Sequence, residues 1–261
     1  MKLFIFAHQD DEFACFALLE QCIRESEEYM VIYLTKGTMG AISPIIRNNE
    51  SILVLNKIGV RRDNIHFLGE TLDIDDGSLP SELGKAYDGL VSLINRYSRP
   101  SSIITLAWES GHQDHDATHI LAVVLAQKFN ILPSSIQFPL YRSSGKKILF
   151  YKVLSTLTQN GLVNKIKIPI RSRIRYLIYC TLYRSQRKTW VGLLPFVILD
   201  YVFSGSQKTQ ALNLNALDQT PTKREALYDI RGNYRVEDFA KNVSTFKNSL
   251  EINKNSKSEC R

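Results

Sequence analysis

The stretch Leu3-Phe4-Ile5-Phe6-Ala7-His8-Gln9-Asp10-Asp11-Glu12 is the most informative in the chain. Five apolar residues stop abruptly at an imidazole and three carboxylates. A run this short and this apolar reads as a strand buried on both faces. Residues at helical spacing follow it (Phe13, Phe16, Ala17, Leu19, Ile23), and then a second apolar run, Tyr29–Thr35. The same alternation continues. A helix is predicted over about 45–58 and closed by Gly59, followed by a strand at Asn64–Leu68 and a helix opened by Pro80 that reaches about Tyr97. Strands at Ser102–Ala107 and Ser135–Leu140 flank a helix from about Ala117 to Phe129. Strands alternating with helices of this length make βαβ units. The predicted fold class is therefore α/β: a Rossmann-like, mostly parallel sheet flanked by helices.

In such sheets ligands sit beyond the carboxyl ends of the strands. Two clusters fall there. The first is His8–Glu12, whose three adjacent anions repel one another unless a helix N-terminus or a cation compensates. It reads either as a carboxylate-rich helix start with a stray histidine or as a metal loop. The second is Gly111-His112-Gln113-Asp114-His115-Asp116-Ala117-Thr118-His119, with three of the five histidines within eight residues. It reads either as a solvated polar loop or as a source of the His and Asp ligands that zinc takes in open sites. Its position on the same edge as the first cluster favours ligands. His66, alone in a strand, reads as a packed histidine.

The 261 residues, 44% hydrophobic and 23% charged, exclude a disordered chain and suit one domain. The net charge of +7 is unevenly placed. Residues 1–116 hold 18 Asp/Glu against 10 Lys/Arg, whereas residues 117–199 hold 13 Lys/Arg and no acid. A basic insertion at about 141–220 and a polar tail at about 242–261 are predicted. Cys15 and Cys22 read as small core residues, and the four cysteines form no CxxC pair, which suits a reducing cytoplasm. No uncharged run reaches the ~18 residues of a membrane span, and the N-terminus lacks the pattern of a signal peptide.

Ala7–Glu12 and Gly111–His115 resemble the AHPDDE and HPDH signatures of the PIG-L/LmbE-type zinc-dependent N-deacetylases. Arg47–Glu50, Phe67–Gly69 with Asp76–Leu79, and Lys223–Leu227 are similar to further motifs of that family. The resemblance implies an LmbE-like fold and removal of an acetyl group from an N-acetylglucosamine-type sugar. It implies one Zn2+ per chain, or another divalent ion, on His8, Asp11 and His115. It makes Asp10 the general base and gives His112 the oxyanion or the leaving nitrogen. Asp114 would keep His112 charged, and Arg47 and Asp76 would contact the sugar. Gln9 replaces the family's proline, which is expected to loosen the loop. The His115–His119 spacing also matches the HExxH motif of zinc peptidases, but aspartate replaces its glutamate and the first cluster would go unused.

The function expected is a carbohydrate N-deacetylase of surface polysaccharide or glycolipid biosynthesis, acting on a free, nucleotide-linked or lipid-linked N-acetyl sugar. One alternative is a deacetylase of a small thiol precursor carrying GlcNAc. The other is a non-enzymatic basic protein that binds membrane or nucleic acid, although no nucleic-acid signature accompanies the cations. The alternation of Arg171, Arg173 and Arg175, followed by the apolar run Thr189–Leu199, suggests peripheral contact with the anionic inner face of the cytoplasmic membrane.

Overall fold

The computed structural model describes residues 1–38, 42–145, 151–218 and 226–258. Five strands run parallel: β1 (Lys2–Phe6), β2 (Tyr29–Tyr33), β3 (Ile65–Phe67), β4 (Ser102–Leu106) and β5 (Ile136–Phe138). A hairpin, β6 (Tyr141–Ser143) with β7 (Tyr151–Val153), stands apart. Strands β8 (Asn164–Lys167) and β9 (Ser206–Ala211) add antiparallel to the β5 edge, so the seven strands lie in the order β3-β2-β1-β4-β5-β9-β8. The predicted α/β class is the one observed, with the basic insertion contributing the last two strands of the sheet.

The helices are α1 (Phe16–Arg24), α2 (Pro44–Ile58), α3 (Leu68–Thr71), α4 (Leu83–Ile94), α5 (Gln113–Lys128), α6 (Ile170–Cys180), α7 (Arg187–Phe203), α8 (Leu227–Ile230) and α9 (Val236–Ser258). Side-chain alternation along β1 divides the core. Phe4 and Phe6 point into one layer with α1, α2, α6 and α7, while Leu3 and Ile5 point into the other with α4, α5 and α9. Both layers are apolar, which is why Leu3–Phe6 of β1 carries no solvent-facing position. Cys15, Cys22 and Cys180 are free thiols buried within the first layer.

Three expectations change. The helix predicted from Ala117 begins at Gln113, because His112 caps it: the Asp114 N–H donates to His112 Nδ1 at 3.2 Å, and Asp114 and Asp116 occupy the favourable first turn. Residues 242–258, read as a polar tail, continue α9, where Phe239, Val243 and Phe246 recur on one face and bury against the second layer. Arg171, Arg173 and Arg175 lie in α6, so their alternation does not make a cationic edge. Arg173 turns inward and donates to the carbonyls of Ile168 and Tyr201 (both 2.8 Å), and Arg175 pairs with Glu20 at 2.5 Å. Lys146, Lys147, Phe150, Cys260 and the Lys223–Glu225 part of the last motif lie outside the described residues.

Candidate metal centre

The chain leaves β1 through His8 and Gln9 into a turn where Asp10 takes a left-handed backbone (φ 108°), and a short 3-10 turn, Asp11–Cys15, follows. That turn points the neighbouring carboxylates in different directions. Asp11 Oδ2 accepts from the N–H groups of Ala7 (3.1 Å) and His8 (2.8 Å), which locks the carboxylate back against the strand end. Glu12 is fully buried, accepting from the Asp10 N–H at 2.8 Å and the Tyr183 hydroxyl at 2.9 Å.

β1 and β4 are adjacent, so α5, which follows β4, brings its first turn over the His8 loop. There His115 Nε2 lies 3.1 Å from Asp11 Oδ1 and 3.3 Å from His8 Nδ1, and His8 Nδ1 lies 3.7 Å from Asp11 Oδ2. A tetrahedral ion with ligands at about 2.0–2.1 Å separates them by about 3.4 Å. The spacings of His115 Nε2 to Asp11 Oδ1 and to His8 Nδ1 are close to that value, whereas the 3.7 Å spacing involves the other oxygen of Asp11, the one held by the Ala7 and His8 N–H groups. Among the described residues two groups of possible donors have their atoms within 4.8 Å of one another: His8, His112 and His115, and His8, Asp76, His112 and Asp114.

The carboxylate of Asp114 decides which nitrogen of His8 is free. It is fully buried and accepts from His8 Nε2–H at 2.9 Å, from the Gly77 N–H at 2.6 Å and from the Leu79 N–H at 3.1 Å. A carboxylate there accepts, so Nε2 carries a proton, and Nδ1, which faces Asp11 and His115, offers a lone pair to an ion only once its own proton has left. Asp76 Oδ1 is 3.1 Å from the same Nε2. Burial lowers the pKa of His8, but Asp76, Asp114 and Asp11 outweigh it and hold the ring well above the ordinary histidine value. Burial likewise opposes the charge of Asp76, yet His8, His112 and Arg47 keep its carboxyl below the usual range. For Asp11 burial is outweighed by His115 and His8, and its pKa falls to about 2.

Asp114 was expected to hold His112 charged. Its hydrogen bonds go to His8 and the Gly77–Leu79 turn instead, and its backbone N–H donates to His112. Burial, reinforced by His8, pushes the His112 pKa down to about 4; Asp114 and Asp76 act in the expected direction but are outweighed. The ring is neutral at pH 7, with Nδ1 as acceptor and Nε2–H as donor.

Asp10 points its carboxylate to Arg47 Nη2 at 3.0 Å. Burial drives its pKa up to about 7; Arg47 opposes this, and Asp11 and Glu12 add to it. Arg47, expected to contact a sugar, is buried and donates to the carbonyls of Gly37 and Gln9 as well as to Asp10. It ties the His8 loop to the next strand end. Gly37 is needed beneath it: its φ is +65°, and a Cβ there would fall 2.0 Å from Gln9 Oε1 and 3.1 Å from Arg47 Nη1. Asp76 is the more open of the two predicted sugar contacts, with 23% of its side chain exposed.

Gln9 was expected to loosen the loop. It is buried and donates to Asn48 Oδ1 at 2.6 Å, and Asn48 donates to Glu70 Oε2 at 2.5 Å. The side chain ties down what proline would have stiffened through φ. His119 is fully buried beside Trp108, with its nitrogens 3.0 Å from the Leu106 carbonyl and 3.4 Å from that of Asn213, so it stands outside the cluster. His66 packs near Tyr97, also away from it. Tyr141, whose ring lies 5.4 Å from that of His115, and Tyr183 line or brace the centre without any local motif that marks them.

The structure is thus an α/β protein with a mostly parallel sheet and a His/Asp cluster beyond the carboxyl ends of β1 and β4. Residues 3–126 match the family model PIG-L, described as GlcNAc-PI de-N-acetylase. Among solved structures, a triple mutant of a deacetylase of the teicoplanin biosynthetic pathway is similar at 19% identity and TM-score 0.60, over 80% of this chain and 96% of that one. The zinc-inhibited form of teicoplanin deacetylase is similar at 16% identity and TM-score 0.56, over 80% and 97%. N,N'-diacetylchitobiose deacetylase from Pyrococcus horikoshii is similar at 18% identity and TM-score 0.54, over 81% and 82%. At these identities the likeness is one of fold. No curated protein matches the chain by sequence.

Proposed function

We propose that this protein is a metal-dependent hydrolase that removes the N-acetyl group from an N-acetylglucosamine-type sugar and releases acetate. The observation that supports the reading is the buried convergence of His8, His112 and His115, with Asp11 Oδ1 3.1 Å from His115 Nε2, in the segment that matches the PIG-L model. Two imidazoles and a carboxylate suit one zinc ion and leave a position open. A bound divalent ion would polarise the amide carbonyl and acidify water.

The remaining chemistry falls to the side chains around it. Asp10, with a pKa near neutrality, takes the proton of the attacking water. Its contact with Arg47 fixes the position of the carboxylate. The neutral His112 presents Nε2–H to the oxygen on which negative charge develops, and Asp114 fixes that tautomer through its backbone N–H. His112 thus stabilises as a hydrogen-bond donor, in place of the imidazolium expected from sequence. Asp76 receives sugar hydroxyls at the rim.

The substrate in this reading is free, nucleotide-linked or lipid-linked, in polysaccharide or glycolipid biosynthesis. The buried free thiols support a reducing, cytoplasmic setting. The reading treats the whole chain as one domain, because the insertion extends the sheet and its Tyr183 braces the His8 loop. Acetate release from the three substrate forms by metal-loaded and chelator-treated protein is the test. Release should need metal, and Asp10→Asn should retain metal while losing roughly two to four orders of magnitude in turnover. Turnover close to normal in that variant would remove the base assignment.

A further inference from the structure

α6 and α7 bury one face each in the same apolar layer: Tyr176, Tyr179 and Cys180 from α6, and Trp190, Leu193 and Val197 from α7. The two helices run antiparallel, since Arg173 donates to the Tyr201 carbonyl and the Ile168 N–H donates to that of Gly205. A soluble helix pair normally turns polar residues away from its core. Here the outer faces carry large apolar side chains among cations. Ile170, Ile174 and Ile178 recur every four residues on α6 and are more than half exposed. On α7, Val191 is 77% exposed, Val202 65% and Phe203 83%, with Ile198 and Leu199 exposed between them. Large exposed apolar side chains thus recur on two adjacent helices, unlike the single exposed hydrophobics common on any surface.

The charge around this patch selects its occupant. Residues 117–199 contain no Asp or Glu. Arg171 shares the outer face of α6, and Arg184, Arg187 and Lys188 lead into α7; all four are exposed and have no ion-pair partner among the described residues. A second copy docking here through a two-fold axis would set these cations against their own equivalents. An anionic surface would neutralise them. The depth also fits: α7 has 17 residues, and among the described residues no helix is long and apolar enough to cross a membrane. We infer that the outer face of α6 and α7 is an interfacial docking surface that lies on an anionic lipid leaflet, with the isoleucines, Val202 and Phe203 entering the acyl boundary and the cations at the headgroups.

The surface adjoins the metal centre. Phe196 of α7 packs 6.4 Å from Tyr151 of the β6–β7 hairpin, and Tyr141 of that hairpin packs 5.4 Å from His115. Leaflet contact thus places the hairpin wall of the centre beside the lipid. The inference stands on the surface alone and holds whether or not the centre hydrolyses amides.

The test is co-sedimentation of the full chain with vesicles of phosphatidylcholine alone and with phosphatidylglycerol added. The wild type should bind the mixed vesicles at least about tenfold more tightly, and less tightly as salt rises from about 50 to 500 mM. Ile174→Ser with Val202→Ser and Phe203→Ser should weaken binding by about tenfold or more. Arg171→Gln with Arg187→Gln and Lys188→Gln should remove the salt dependence. Circular dichroism and acetate release from a soluble N-acetyl sugar should stay at wild-type values in both triple variants, which separates loss of docking from loss of fold or chemistry. The inference is overturned if the wild type ignores phosphatidylglycerol, or if the serine triple variant binds as the wild type does. It is also overturned if light scattering finds a dimer that the serine variant dissolves, since the patch then joins two copies.

Discussion

Asp114→Asn removes one charge and almost no volume, so its effect isolates what the carboxylate does for His8. In the native chain Oδ2 accepts from His8 Nε2–H and the Gly77 N–H, and Oδ1 accepts from the Leu79 N–H. Asparagine has one acceptor oxygen. With that oxygen at the Oδ2 position, the new NH2 meets the buried Leu79 N–H, and one unsatisfied donor costs about 1–3 kcal/mol. The bond to His8 also loses its charge assistance, which roughly halves it. In the opposite orientation the NH2 faces His8 Nε2, and the imidazole proton moves to Nδ1, the nitrogen aimed at Asp11 and His115. Either way the divalent ion meets a less basic or wrongly protonated ring, and about 10- to 100-fold of its affinity should be lost. Competition with a chromogenic chelator measures that affinity, and urea unfolding of the metal-free protein measures the fold separately. An unchanged affinity together with a large fall in turnover would refute the argument, because Asp114 would then act through His112.

His8→Ala, Asp11→Ala and His115→Ala should each strip most of the metal while the far-ultraviolet spectrum is kept; full occupancy in all three, by atomic absorption, would reject the donor set. Tyr183→Phe removes the hydroxyl that bonds buried Glu12, and should lower stability by about 1–3 kcal/mol in urea unfolding by leaving a carboxylate oxygen unpaired. His119 gives a pH signature. Burial pushes its pKa down to about 4 from an ordinary 6.5, while the Leu106 and Asn213 carbonyls oppose the shift. The unfolded chain therefore binds the extra proton first. This contribution is fully present above pH 6.5, falls by about 1.4 kcal/mol per pH unit below it, and has lost about 3 kcal/mol by pH 4. Urea unfolding at pH 7, 6 and 5 should show a shallower decline for His119→Gln than for wild type; parallel declines would count against a neutral buried imidazole.

The sequence by itself determined the five parallel strands of the sheet and the edge on which the His/Asp clusters lie, but not β8 and β9. Leu3–Phe6 is apolar at every position because both faces of β1 are covered, and such runs are readable without knowing their partners. The abrupt change at His8 and the histidines after β4 marked the carboxyl edge, since three adjacent carboxylates are costly anywhere that does not use them. What those side chains do to one another was decided only by the tertiary structure. His8 and Asp114 are 106 positions apart, Arg47 and Asp10 are 37, and Tyr183 and Glu12 are 171. Spacing along the chain carries no information about such pairs, so the tautomer of His8, the neutral state of His112 and the inward turn of Arg47 were not legible. The same holds for α9, whose three buried apolar residues look sparse in a polar segment until the groove that receives them exists. It holds too for α6 and α7: the sequence shows that cations and apolar residues alternate there, but only packing against the core decides which of them are left facing outward.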